Sequence, residues 1–208
     1  QYSHVWIDFR GIRDAWNRAH DLDYFENSRR AVIAQRNYAI ANPGGWTGYG
    51  KNVWGLTASN GPGGFIVEGH GRREKFQGYT ARGAGLGDIV DDGTIAPTAA
   101  AGSIAFAPAL VIPALAEMKR LYGKDIYNRY GFVDAFNPSF HIHTLLRTGK
   151  LVPMGWVDNE QLGIDQGPIV LMIANWRHDF VWNVMKKNPY IRKGLERAGF
   201  EGGWLGTR

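Results

Sequence analysis

Apolar residues recur with a helical period over several stretches of this chain and lose all period over two others. In "ENSRRAVIAQRNYAIA" the residues Val32, Ile33, Arg36, Ala39 and Ile40 share one face. That spacing predicts a helix from Glu26 to about Ala41, stopped by Asn42-Pro43-Gly44-Gly45. A shorter helix is expected around Arg13 to His20. Helical character returns at Thr94, a good N-cap residue, with Pro97 in the first turn where a missing N–H is harmless. In "APALVIPALAEMKRLYG" the residues Leu110, Val111, Ala114, Leu115 and Met118 form the next apolar face; Pro113 either kinks this helix or opens it, and Gly123 ends it. Three further helices are expected: about Pro168 to Trp176, Asp179 to Lys187, and Pro189 to Ala198 with Gly199 as the stop.

Residues 43–93 and 124–164 are too rich in glycine and proline to be packed helix. "FIVEG" and "KFQGYTA" predict one small hairpin, and Thr148-Gly149 marks a second. The expected architecture is therefore one mostly helical domain with two long loops of the kind that carry function. Strands never alternate regularly with helices, which argues against a Rossmann or TIM arrangement.

Composition narrows the function. The net charge of +5 is scattered, its densest clusters being Arg72-Arg73-Glu74-Lys75 and Lys186-Lys187 followed by Arg192-Lys193. A nucleic-acid partner would need a longer basic stripe interleaved with aromatics, so none is expected. No stretch approaches the roughly eighteen apolar residues of a membrane span. Gln1 does not open a secretory signal, although a signal removed before this point is compatible with the sequence. With no cysteine, disulfides, thiolate zinc sites and thiol nucleophiles are excluded. The informative excess is 28 Gly and 8 Trp: glycine makes tight loops, and tryptophan offers flat faces on which a sugar ring can stack.

The run Gly83-Ala84-Gly85-Leu86-Gly87 has the wrong spacing for a dinucleotide loop and reads as plain loop. His141 and His143, with Asp134 as a conceivable third ligand, lack any second motif, so neither metal nor cofactor is expected. Carboxylates in loops say more. Asp91 and Asp92 precede the Thr94 helix, Asp134 lies in "GFVDAFNP", and Asp158, Glu160 and Asp165 crowd before Pro168. At a helix N-terminus the dipole favours an ionised carboxylate, which makes either a cap or a general base and a poor general acid. Asp91 leans towards capping, because Thr94 stands beside it. Asp165 is evenly poised, since Gly163 and Gly167 free its backbone and Gln166 adds a partner that a cap would not need. Trp176 and Trp182 fall in amphipathic helices and read as core, whereas Trp46, Trp54 and Trp156 lie in loops and read as stacking faces.

Taken together, "HVWIDFRGIRD", "YFENSRRAVIAQRNYAIANP", "GYGKNVWGLTASNGPGG", "DDGTIAPTAAAGSIAFAPALVIPALAEM", "YGFVDAFNP", "LGIDQGPIVLMIANWR" and "NPYIRKGLERAGF" resemble, in order, the glycoamylase-like domain. That group includes glycoside hydrolase family 144, the β-1,2-glucanases. The resemblance implies an all-α (α/α)6 toroid that cleaves β-1,2-glucan by inversion, usually after export, so a periplasmic or secreted location is expected. It marks Asp165 in "GIDQGP" as the family's acid, here taken as the base, with Asp134 as a second catalytic carboxylate. Asn52, Trp54, Trp46, Asp92, Trp156 and Gln166 become the substrate-binding set. Two departures stand out: Lys51 where the family commonly has Glu, and Asn60 where it often has Asp.

Outside its irregular regions the chain has room for about six or seven helices, and a full toroid needs about twice that. It therefore resembles the C-terminal half of the catalytic domain, with the general acid and a mating surface expected from a missing N-terminal half or a partner chain. Besides a hydrolase, a non-catalytic glycan-binding module and a transglycosylating relative fit the same residues.

Overall fold

The helix foreseen from Glu26 begins two residues earlier, because Asp23 caps it: the Asp23 carboxylate accepts the Glu26 backbone N–H at 2.8 Å. It ends at Ala41, where Asn42 turns left-handed (φ 42°) and its side chain bonds both the N–H and the C=O of Trp46. The computed structural model describes residues 1–69, 72–84 and 90–206. The Gly85-Leu86-Gly87 part of the glycine run lies outside the described residues. Along the chain the helices are α1 (Ser3–Trp6), α2 (Ala15–Ala19), α3 (Tyr24–Ala41), α4 (Pro97–Ala101), α5 (Pro108–Ile126), α6 (Gly163–His178), α7 (Phe180–Met185) and α8 (Pro189–Arg197).

Three of these differ instructively from expectation. Helix α4 starts at Pro97 behind Ala96, and Thr94 is no cap: it is buried, donating its N–H to Asp92 and accepting the Asn137 amide. Helix α5 is opened by Pro108, carries Pro113 inside it, and runs past Gly123 because the fully buried Ile126 anchors one more turn. Helix α6 starts at Gly163 rather than Pro168, which places Asp165 inside its first turn.

The molecule is not all-α. Among the described residues the glycine-rich regions form small antiparallel pairings. Strands β1 (Ala58–Ser59), β2 (Phe65–Gly69), β3 (Arg72–Phe76) and β4 (Thr80–Ala81) come from the first region. The second gives β5 (Tyr127–Asn128), β6 (Gly131–Phe132), β7 (Phe136–Asn137), β8 (Lys150–Val152) and β9 (Gly155–Val157). The hairpin partner of "FIVEG" is "RREKF", with Phe65 opposite Phe76, and Thr80–Ala81 pairs instead with Ala58–Ser59. The second hairpin, β8–β9, turns at Pro153-Met154 just beyond Thr148-Gly149 and is joined by β7.

The main core lies where α3, α5 and α6 meet these strands, around Val32, Trp54, Met118, Phe136 and Met172. The loop tryptophans are part of the interior: Trp54 and Trp156 are 1% and 0% exposed, and Trp46 packs on Phe76. A side chain at Gly93 (φ 80°) would run into the Trp46 ring, so this turn is closed to larger residues. Trp182 is buried as expected, but Trp176, at the end of α6, is 42% exposed.

Two buried polar groups tie elements together. The Asn175 amide on α6 donates to the Val5 carbonyl on α1, and its oxygen accepts the N–H groups of Val181 and Trp182 on α7. The Trp182 indole donates to the His4 carbonyl. Arg82 is the second node. It grips Asp92 through two bonds of 2.7 and 2.8 Å, and donates to the carbonyls of Ser59, Asn60, Gln77 and Gly78. Both partners are almost wholly buried.

Removing one partner of such a pair leaves a buried charge uncompensated, at a cost of about 3–5 kcal/mol. Arg82→Met is therefore expected to lower the urea midpoint sharply; an unchanged midpoint would mean the loops hold without it. His4 predicts a pH effect. Burial pushes its pKa from 6.5 down to about 4. Between those values only the unfolded chain takes the proton, so stability present above pH 6.5 is lost as pH falls, by about 3 kcal/mol. In His4→Gln that slope should vanish from the stability-versus-pH curve.

Candidate functional site

Three segments bring acids to one place, and a fourth sets an asparagine among them. Asp134 follows β6, and its N–H is held by the Glu160 carbonyl at 3.0 Å. Asp158 follows β9, its N–H bonded to the Ala135 carbonyl at 2.9 Å. Asp165 sits in the first turn of α6, where the Thr98 hydroxyl reaches its carbonyl. Asn60 follows β1 and enters between the acids: its backbone N–H donates to Asp134 Oδ2 at 2.7 Å, and its amide donates to Asp158 Oδ2 at 2.8 Å and Glu160 Oε2 at 3.3 Å. Asp134, Asp158 and Asp165 are at most 3% exposed, while Glu160 is exposed at the rim.

Asp165 is not a cap, since Leu162 occupies the cap position and no side chain closes that end. Its carboxyl lies within hydrogen-bonding contact of the Asp134 carboxyl, and its Oδ2 is buried with no donor facing it. Two ionised carboxylates in contact offer only acceptors and repel; one shared proton relieves both problems. Burial first, then the Asp134 charge and its hydrogen bond, then Asp158, pushes the Asp165 pKa up to about 7. The Asp134 carboxyl is also raised by burial, but the Asn60 N–H and the proton offered by Asp165 pull it back. The expectation of a carboxylate held ionised by the helix dipole is thereby corrected. The dipole at a solvated helix start is worth about 0.3–1 kcal/mol, less than burial beside a like charge.

A cleft of about 270 Å³ opens beside the pair, lined among others by Tyr2, Gln35, Leu56, Thr57, Thr98 and Pro168. That volume suits one ring-sized ligand. Pro168 lies one helical turn beyond Asp165 on α6, and Thr98 contacts the Asp165 backbone, so the cleft and the acids share a wall. Tyr2 is half-exposed there; burial, then the Asp165 and Asp134 charges, raises its phenol pKa.

The sequence-selected residues divide accordingly. Asp165 and Asp134 come together. Gln166 adjoins them, donating to the Phe132 carbonyl and covering Gly131 (φ 107°), where a Cβ would strike its oxygen. Asn52 is half-buried in the Gly50–Val53 turn, away from these contacts. Asp92 is wholly buried against Arg82, and Trp46, Trp54 and Trp156 turn their faces into the core rather than towards a ligand. Asp91, read as a cap, instead accepts the Tyr38 and Tyr49 hydroxyls at 2.8 and 2.6 Å. His141 and His143 border a surface hollow with Pro153 and lie in no strand. Tyr2 and Arg82 were not selected. Tyr2 has no local signature, and Arg82 is one arginine in "YTARG" whose partner only the fold reveals.

Residues 1–189 match the Glycoamylase family model, described as "Putative glucoamylase". The chain is 29% identical over 196 residues to an exo β-1,2-glucooligosaccharide sophorohydrolase (non-reducing end) of Parabacteroides distasonis, covering 94% of this chain and 22% of that protein. The endo-β-1,2-glucanase of Chitinophaga pinensis, solved with sophorotriose and glucose, is similar at 30% identity and a TM-score of 0.75, with 98% of this chain and 40% of that one covered. A solved Bacteroides uniformis structure named as a "putative glucoamylase" is 34% identical with the same TM-score and the same coverage. The chain thus spans well under half the length of these relatives. By the match across residues 1–189 and the shared fold, it belongs to the Glycoamylase family.

Proposed function

We propose that this chain forms part of a glycoside hydrolase acting on β-1,2-linked glucan, with Asp165 as its general base. The observation that carries the reading is a buried carboxylate pair set behind the Thr98–Pro168 wall of a cleft of single-ring size. The named activities of the glucanase and the sophorohydrolase support the substrate. In the same proposal the chain is the C-terminal part of an (α/α)6 toroid working outside the cytoplasm, and the rest of the domain completes the cleft.

The chemistry follows from the proton balance of the pair. A base is most effective with a pKa near the working pH, and Asp165 stands at about 7. Once ionised beside Asp134, it takes a proton from water as the water oxygen bonds to the anomeric carbon from the side opposite the leaving oxygen. The proton then lies on Asp165, donated to Asp134. Glycosidase carboxyls face each other across the sugar at roughly 5–5.5 Å for retention or 6.5–9.5 Å for inversion. Groups in mutual contact fit neither separation. Asp134 is therefore the partner of the base, not the opposing acid, and the acid that protonates the leaving oxygen is assigned to the remainder of the domain.

In the complete polypeptide, Asp165→Asn should reduce release of reducing ends from linear β-1,2-glucan by about 10²–10⁴-fold; near-wild-type turnover would remove Asp165 from the chemistry. For the wild type, kcat/KM should fall as pH drops through about 7, because the base is then protonated. The same variant should be more stable than the parent at pH 8. A carboxyl whose folded pKa lies above its ordinary value costs stability as pH rises from about 4 through 7. The advantage should shrink at pH 5, and thermal melts at the two pH values read it directly.

A further inference from the structure

Asn60 stands where the acids converge and touches three of the four. Its two amide hydrogens are divided between Asp158 and Glu160, and its backbone N–H is aimed at Asp134. No bond to Asp165 is made. The loop that carries it cannot drift, because Arg82 holds the Ser59 and Asn60 carbonyls while its charge is matched by Asp92. The donors are therefore distributed unequally within the pair: Asp134 receives an N–H at 2.7 Å, and Asp165 Oδ2 receives none.

We propose that Asn60 is the positioning residue of the pair: it fixes Asp134 as the proton-free member and holds Asp158 and Glu160 aside, so that the shared proton resides on Asp165. A hydrogen bond to the charged form stabilises that form, and a carboxylate lacking one is the better place for a proton. The groups facing the pair are Asp158 and Glu160 from the β9–α6 segment, Tyr2 from the start of α1, and Arg82 beyond β4; Tyr79, ahead of β4, faces Tyr2. Among these, Asn60 alone donates to Asp134 through its main chain while bonding two further acids through its side chain. A carboxylate at position 60 would set oxygen against oxygen at Asp158 and Glu160 and add negative charge beside the pair. Alanine would remove the side-chain donors and leave the backbone N–H in place.

The catalytic consequence rests on the glycosidase reading; the placement of the proton does not. The test is a ¹³C titration of the aspartate carboxyls in wild type, Asn60→Asp and Asn60→Ala, alongside the pH dependence of kcat/KM on linear β-1,2-glucan. In wild type, Asp165 should carry the late-titrating resonance. In Asn60→Asp its midpoint should rise by about one unit, with the acidic limb of activity moving alongside. Asn60→Ala should move it less and lower kcat with little change in KM. The idea is overturned if Asp134 carries the late proton in wild type, a result that needs no variant to fold. It is equally overturned if the Asp165 midpoint is unmoved in a folded Asn60→Asp, or if both variants lose activity without any shift. If midpoints respond as expected and the wild-type polypeptide leaves β-1,2-glucan intact, the substrate reading fails and the role of Asn60 stands.

Discussion

The constraint on which the rest depends is the burial of Arg82 against Asp92. The two long glycine-rich regions have little regular structure to hold them, only pairings two to five residues long. An arginine fork that satisfies four carbonyls and a carboxylate at once replaces the ladder that the first of those regions lacks. Being desolvated, the pair contributes little net stability over an apolar substitute, but it tolerates no partial loss. Its effect is positional. It fixes the Ser59–Asn60 turn, and that turn sets the donors around Asp134 and Asp158.

The carboxylate cluster is the opposite kind of feature. Asp134, Asp158 and Asp165 are buried together, an arrangement that opposes folding at neutral pH. It persists because the surrounding helices and strands over-determine it: α6 places Asp165, the β6–β7 link places Asp134, and β9 leads directly to Asp158. Strain of this electrostatic sort concentrates where chemistry is done, and the raised proton affinity of Asp165 is its direct expression.

Helices were legible where periodicity was long, as in α3 and α5, because an apolar stripe and its end signals are local properties. Their limits were legible only in part: Asn42 stops α3 where the sequence marks it, whereas Asp23 starts it two residues before the expected Glu26 and Ile126 carries α5 past Gly123 by tertiary burial. Asp165 stood out because "GIDQGP" is an odd start for an apolar helix. Its protonation was not legible, since Asp134 and Asp158 reach it through space. The tryptophans misled for a related reason. Loops rich in glycine were read as open, but Trp54 and Trp156 are folded under by them. Trp176, on a helix with an apolar pattern, lies where α6 leaves the core.

The clasp between the two ends of the described chain has a dynamic consequence. The Trp204 indole donates to the Asp8 carbonyl, Arg13 and Glu201 exchange backbone bonds, and Arg192 holds the carbonyls of Trp204 and Leu205. Asp8 in turn lies just beyond α1, the short helix that starts next to Tyr2. Opening of the Gly203–Leu205 turn would loosen α1, and with it one wall of the cleft. In hydrogen exchange, the turn at residue 204, α1 and the cleft wall it supplies would then open together as one unit.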